Sequence, residues 1–260
     1  MSEFNFCGRA DGIGNRVEQL IAITKYCEKY NTKCVYKWNN SPYRTYPVQI
    51  KFNNIDIKCA DEKGADKKGA DKKGADEKGA DEKGADEKGA DEKSVTLSEM
   101  NSVISPYNTS IHQFLFHIDV EEYDTAIHIR AGDRIRLTPE LHSDFSTLAE
   151  LDECVRKTIK YVNDTESIKK CIILCEEKQY IEKIKKLIIK KVYELPKSKV
   201  HKDWQDFYYL TKAKQNIIMC CKFSSFSVCA AILANLNLVT FFNKTESNLA
   251  RYNVNKLIYV

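Results

Sequence analysis

The sequence predicts an α/β protein built on a parallel sheet with helices on both faces, and three observations lead there. Between residues 125 and 242 short apolar runs alternate with amphipathic stretches, five strands with four helices, which is the order that βαβ units impose. The run Cys171–Cys175 is apolar throughout, as expected of a strand buried on both faces. Near the N-terminus a Gly-rich turn, a helical stretch and a strand follow one another between residues 12 and 38, the opening of another α/β unit.

Taken in order, residues 12–30 read as a loop entering a helix, because Val17, Leu20, Ile21, Ile23, Thr24 and Cys27 fall near helical spacing. Lys33–Trp38 reads as a strand. Residues 39–59 carry no clear period. Residues 60–93 repeat the unit Ala-Asp-Glu/Lys-Lys-Gly. With nothing larger than Ala to bury and a Gly every fifth residue, this stretch is expected to be a solvated linker or marginal helix. Residues 94–120 suggest one short helix and connecting segments. Thr125–Arg130 is then a strand, 147–163 a helix with Leu148, Leu151, Val155, Ile159 and Val162 on one face, and Cys171–Cys175 a strand. Gln179–Lys190 is a helix, Lys191–Leu195 a strand closed by Pro196, and Asp203–Lys212 a helix. Asn216–Cys221, Ser224–Ala234 and Leu238–Phe242 complete the alternation as strand, helix and strand. The boundaries that follow are 1–59 for a partial N-terminal unit, 60–93 for the linker, 94–120 for the rest of that unit and 121–260 for the C-terminal unit.

Charge narrows the function. The net charge of +4 gives no case for nucleic acid. The repeat holds nine Lys against seven Asp and five Glu, so it stands at −3 and the remainder at +7. A mildly basic body suits a small anionic ligand. Ten Cys without a CxxC pair, several inside apolar runs, read as buried reduced thiols rather than a zinc site. The N-terminus has no signal-peptide pattern and no uncharged run is long enough for a membrane span, so a cytoplasmic location is expected. The triplets at Asn108, Asn163 and Asn243 are expected to carry no glycan.

Two segments suit an anion, and a third could reach the same ligand through Asn15 and Arg16. His128-Ile129-Arg130-Ala131-Gly132-Asp133 follows the strand that opens the C-terminal unit. Arg130 offers a rigid fork of donors for a diphosphate, His128 can donate or accept, and Asp133 can fix the loop. Lys222-Phe223-Ser224-Ser225-Phe226-Ser227 runs from a strand into a helix, whose N-terminus attracts anions. In a parallel sheet both loops lie on the carboxyl edge, where ligands bind. The alternatives are a polar turn at 128–133 and plain N-capping by Ser224 or Ser225. Asp11-Gly12-Ile13-Gly14-Asn15-Arg16 is a Gly-x-Gly turn opening a helix, without a clear strand before it.

These segments carry a resemblance. GIGNRVEQLIAITKYCEKY with KCVYKW resembles the N-terminal motif of fucosyltransferase-like proteins. AIHIRAGD is similar to their H-x-R-R-x-D segment, and DWQDFYYLTKAKQNIIMCCKFSSFSVCAAILANLN to their Asp-containing helix, strand and Ser-rich turn. The resemblance covers residues 8–38 and 123–242. It implies a GT-B fold of two Rossmann-like lobes, here with the N-terminal lobe reduced and a low-complexity insertion. It implies GDP-fucose as donor substrate, a glycan acceptor, no further cofactor and no metal. By position, Arg130 binds the diphosphate and stabilises departing GDP. His128 and Asp206 contact the guanosine, Ser224 and Ser225 hold phosphate, and Gly14, Asn15 and Arg16 face the donor from the other lobe. Glu176 and Glu177 stand where relatives often have acidic residues. The second Arg of the usual pair is Ala131, and only 52 non-repeat positions separate Trp38 from Thr125. Two functions therefore stand side by side: an active fucosyltransferase, or a non-catalytic relative that binds nucleotide or a partner.

Overall fold

The computed structural model describes residues 2–40, 46–59, 112–131, 146–243, 249 and 257–260. The repeat at 60–93, residues 94–111 of the stretch 94–120 expected to hold one short helix, and Gly132 and Asp133 lie outside the described residues, while 112–120 holds a short strand and no helix. Within them the chain forms a mixed sheet from its N-terminal part, a parallel sheet from its C-terminal part, and five helices.

The N-terminal sheet begins with β1 (Glu3–Cys7), which runs into α1 (Ile13–Tyr30) and β2 (Lys33–Trp38). β1 is the strand that the Gly-x-Gly turn lacked in the sequence reading, where its alternation of Phe with polar residues is weak. α1 ends because Asn31 takes a left-handed conformation (φ 48°), which turns the chain into β2 within two residues. The stretch 39–59, featureless by period, holds a hairpin of β3 (Ile50–Phe52) and β4 (Ile55–Cys59) turned at Asn54 (φ 63°). β5 (His112–Phe114) completes the order β1-β2-β4-β3-β5, parallel through β1, β2 and β4 and antiparallel beyond.

The imidazole of His112 lies between the rings of Phe52 and Phe114. Burial, with Lys212 nearby, lowers its pKa from 6.5 to about 4. An unfolded chain would protonate this ring below pH ~6.5, whereas the folded chain resists until about 4. Between those values the unfolded state binds more protons, so stability is lost as pH falls through the window and is flat above it. Melting curves across this range should show the drop in the native chain and a shallower one in His112→Gln.

The C-terminal sheet follows the predicted alternation. β6 (Thr125–Ile129), α2 (Leu148–Asp164), β7 (Lys170–Cys175), α3 (Lys178–Leu187), β8 (Lys191–Val192), α4 (Lys202–Thr211), β9 (Asn216–Cys220), α5 (Ser225–Ala234) and β10 (Asn237–Thr240) are joined by a further strand, β11 (Leu257–Tyr259). Every pairing is parallel. The order β8-β7-β6-β9-β10-β11 is that of a dinucleotide-binding sheet, in which the chain works outward from the centre, returns, and works outward the other way. α2 starts at a capping box in which Thr147 and Glu150 exchange hydrogen bonds.

The helices divide between the two faces. α2 and α3 bury Leu151, Val155, Val162, Tyr180 and Ile184 against Ile127, Ile129, Ile173 and Ile218. On the other face α4 and α5 bury Trp204, Phe207, Leu210, Val228 and Leu233 in a core that continues without a break into α1 and the N-terminal sheet. Trp38 stacks on Trp204 at 6.1 Å, and the Trp204 indole donates to the Pro47 carbonyl at 2.7 Å. The thiols fit the expectation in the main. Seven Cys are buried without disulfides, and burial pushes those of Cys27, Cys34 and Cys171 up to about 12, but Cys7 and Cys59 are exposed.

Candidate functional site

Reversal of strand order at β6 and β9 leaves a crevice at their carboxyl ends, because the connections that leave these two strands diverge to opposite faces. His128 and Arg130 lie at the end of β6, and Ser224 and Ser225 at the end of β9 and the start of α5. The two anion-suited loops thus occupy neighbouring strands at the switch point.

His128 pairs in register with Leu174 of β7 and Met219 of β9 and is half-buried. Its Nδ1 lies 2.6 Å from the Ser227 hydroxyl, and its ring rests 5.3 Å from that of Phe226. The imidazole is therefore oriented by the first turn of α5. Arg130 is half-buried one residue beyond β6. Ala131, which follows Arg130 directly, is 1% exposed within the α2–α3 core. That position faces inward, and an Arg there would bury an unpaired charge.

Ser224 holds the N-cap position of α5 but does not cap it, and its buried hydroxyl has no partner among the described residues. Ser225 instead donates to Asn15 Oδ1 at 2.6 Å. Plain N-capping by these serines is thereby set aside. The start of α1 lies directly on the start of α5. A Cβ on Gly14 would come within 2.5 Å of the Phe226 amide nitrogen, and the Cys229 thiol donates to the Gly14 carbonyl at 3.4 Å. Gly14 and Asn15 are thus brought to Ser225.

Arg16 goes elsewhere. Its side chain is fully buried in the N-terminal part, 4.6 Å from the Trp38 ring and 5.2 Å from that of Tyr46. Nε donates to the Asp11 carbonyl at 2.8 Å and Nη1 to Asn40 Oδ1 at 3.1 Å. Asp11 in turn accepts from the Asn15 amide at 2.9 Å. Arg16 therefore braces the turn that holds Asn15 through Asp11, in a network the sequence did not reveal. Nη2 of Arg16 and Oδ1 of Asp11 are buried without a partner among the described residues.

Asp206 lines a cavity of about 500 Å³ between the carboxyl end of β7, residues 195–200 and α4. Lys202 reaches its carboxylate at 2.7 Å, and Gln205, Tyr209, Lys197 and Ser198 complete the polar lining. Burial raises the pKa of Asp206 while Lys202 opposes the rise. His128 is not in the lining, but its register partner Leu174 is, so cavity and imidazole stand one strand apart. Glu176 and Glu177 sit just past β7, outside the lining. Asp133 lies outside the described residues. Sequence reasoning missed the cavity because residues 195–200 form no regular element and only the fold brings them to α4.

No protein-family model matches the chain, and no curated protein is significantly similar to it. Among the described residues no group of His, Cys, Asp or Glu is arranged to hold a metal, and no helix is long and apolar enough to cross a membrane.

Proposed function

We propose that the chain is a glycosyltransferase that takes a nucleotide-sugar donor, GDP-fucose by its resemblance, and passes the sugar to a glycan hydroxyl. The observation that carries this reading is the row of groups along the switch-point edge. The cavity with Asp206 comes first, then His128 with Ser227, then Ser225 with Asn15. A nucleoside in the cavity would direct its diphosphate across the end of β6 toward Arg130 and the start of α5. The unpartnered Ser224 hydroxyl and the first-turn amides of α5 suit the phosphates. Asn15 is the group through which the N-terminal part, taken as a reduced first lobe of a GT-B pair, reaches the sugar end.

Chemically, the reading asks these residues to position the donor and stabilise charge on departing GDP, while the sugar carbon takes oxocarbenium character. The second function, a binding protein without turnover, draws support from the contact of Gly14 with Phe226 and the Asn15–Ser225 bond, because phosphate must open both.

Titration calorimetry with GDP, followed by an assay for GDP release from GDP-fucose over a panel of glycans, separates the two. Binding with acceptor-dependent release is expected. Binding without release on every acceptor assigns the non-catalytic nucleotide-binding function, and no binding of GDP rejects both nucleotide-based functions and leaves only the binding of a partner.

A further inference from the structure

The sequence between Lys169 and Lys202 holds eleven Lys against four Glu, a charge of +7 in a chain whose total is +4. Much of it gathers where α3 turns into β8, at the amino end of the sheet and opposite the switch-point site. There the chain presents Leu187 and Ile189 to solvent at 52% and 79% exposure, while Ile188 between them is 7% exposed and anchored in the core.

This projection is built. Asn163, at the end of α2, donates its amide to the Leu187 carbonyl and accepts from the Ile189 amide, both at 3.0 Å. The two bonds clamp the turn so that Ile188 points in and its neighbours point out. Around the two aliphatics stand Lys186 and Lys190, neither with an ion pair among the described residues. Lys170 and Lys191 lie 5.5 and 4.4 Å from the Tyr193 ring. Nearby acids are largely engaged: Asp164 by Lys160, Glu194 by Lys185, and Asp124 by the backbone amides of Lys169 and Lys170. Glu166, exposed in the turn before β7, and Glu121, exposed near Lys170, each subtract one charge.

We infer that this rim is a docking surface for a bilayer bearing anionic headgroups, with Leu187 and Ile189 entering the interface and the lysines meeting the lipid charge. Two outward aliphatics held rigidly among lysines match interfacial binding, in which apolar insertion and electrostatic attraction add. Nucleic acid would use the lysines but gain little from the aliphatics. Docked this way, the chain would turn its switch-point edge to the aqueous phase. The inference is independent of what that edge binds.

Sedimentation of the full chain with vesicles tests it. Vesicles of equal parts phosphatidylcholine and phosphatidylserine should carry the protein down and release it at high salt, and pure phosphatidylcholine vesicles should not. Each lysine near an anionic surface adds about fivefold in affinity, so Lys186→Glu with Lys190→Glu should weaken binding at least about tenfold. Ile189→Ser and Leu187→Ser each remove an inserting group and should weaken it several-fold. All these positions are on the surface, so melting temperatures should be unchanged. No binding to the mixed vesicles overturns the inference. So does full binding by Ile189→Ser and Leu187→Ser, or duplex DNA held more tightly than the vesicles.

Discussion

Under the proposed function, Arg130→Ala should lower GDP release from GDP-fucose by about a hundredfold or more, the loss typical when one preorganised donor is removed from a developing anion. Arg130 follows β6 directly, beside the strand whose loop carries Ser224 and Ser225, so it stands where the diphosphate would cross the switch point. A charge that matters mainly as GDP departs should appear in kcat and in kcat/KM together, with a smaller effect on KM. Arg130→Lys keeps the charge but loses the planar fork, so it should recover only part of the rate. Arg130 is half-buried at a strand end rather than in a core, and the alanine variant should melt near the native temperature. Unchanged kcat in a folded Arg130→Ala protein removes this residue from the chemistry.

Ala131 bears on the same question. By the resemblance alone, it stands where a second arginine would follow Arg130, which raises the non-catalytic function. In the fold its side chain packs with Ile129 and Leu151 on the α2–α3 side. A small residue here therefore has a packing reason, and it does not decide between turnover and binding. That choice rests on Arg130 and on whether the α1–α5 contact can admit phosphate.

What could be read in advance follows from the physics of each element. The strands Lys33–Trp38 and Cys171–Cys175, and the helices of the C-terminal part, carry long apolar periods, and their bounds shift by at most a few residues. β1, with its alternating pattern EFNFC, and β11, three residues long, are too weakly patterned to distinguish from loop. β3 and β4 depend on one left-handed Asn. The site divides in the same way. The placement of His128 and Ser224 at strand ends was legible because the first lies at the end of a clearly apolar strand and the second follows one. The destination of Arg16 was not, since its enclosure by Trp38 and Tyr46 is a tertiary event. Nor was the separation of His128 from the cavity that Asp206 lines, which depends on which face of β6 and β7 each side chain takes.

Gly14→Ala provides the largest expected effect on stability, and two opposing terms fix its sign. Gly14 lies in the first turn of α1, where alanine would gain up to about 1 kcal/mol in helix propensity. Against that, the added Cβ would sit 2.5 Å from the Phe226 nitrogen, 2.8 Å from its Cα and 2.7 Å from Ser225 Oγ. Two of these are backbone atoms of α5 and cannot swing aside, so the helices must separate. Overpacking of this kind costs about 1–3 kcal/mol, and more where backbone must move, which outweighs the propensity gain. A net loss of about 2 kcal/mol corresponds to a melting temperature lower by roughly 4–8 °C in a chain of this size. Separation should also stretch the bond from Ser225 to Asn15, which allows a sharper test than the melting temperature alone. Ser225→Ala should be destabilising in the native background and nearly neutral beside Gly14→Ala, because the bond it removes is already broken. Additive costs in that cycle, or a higher melting temperature for Gly14→Ala, would mean that α1 and α5 do not meet at this contact, and that Asn15 is not held against the helix start where phosphate is expected.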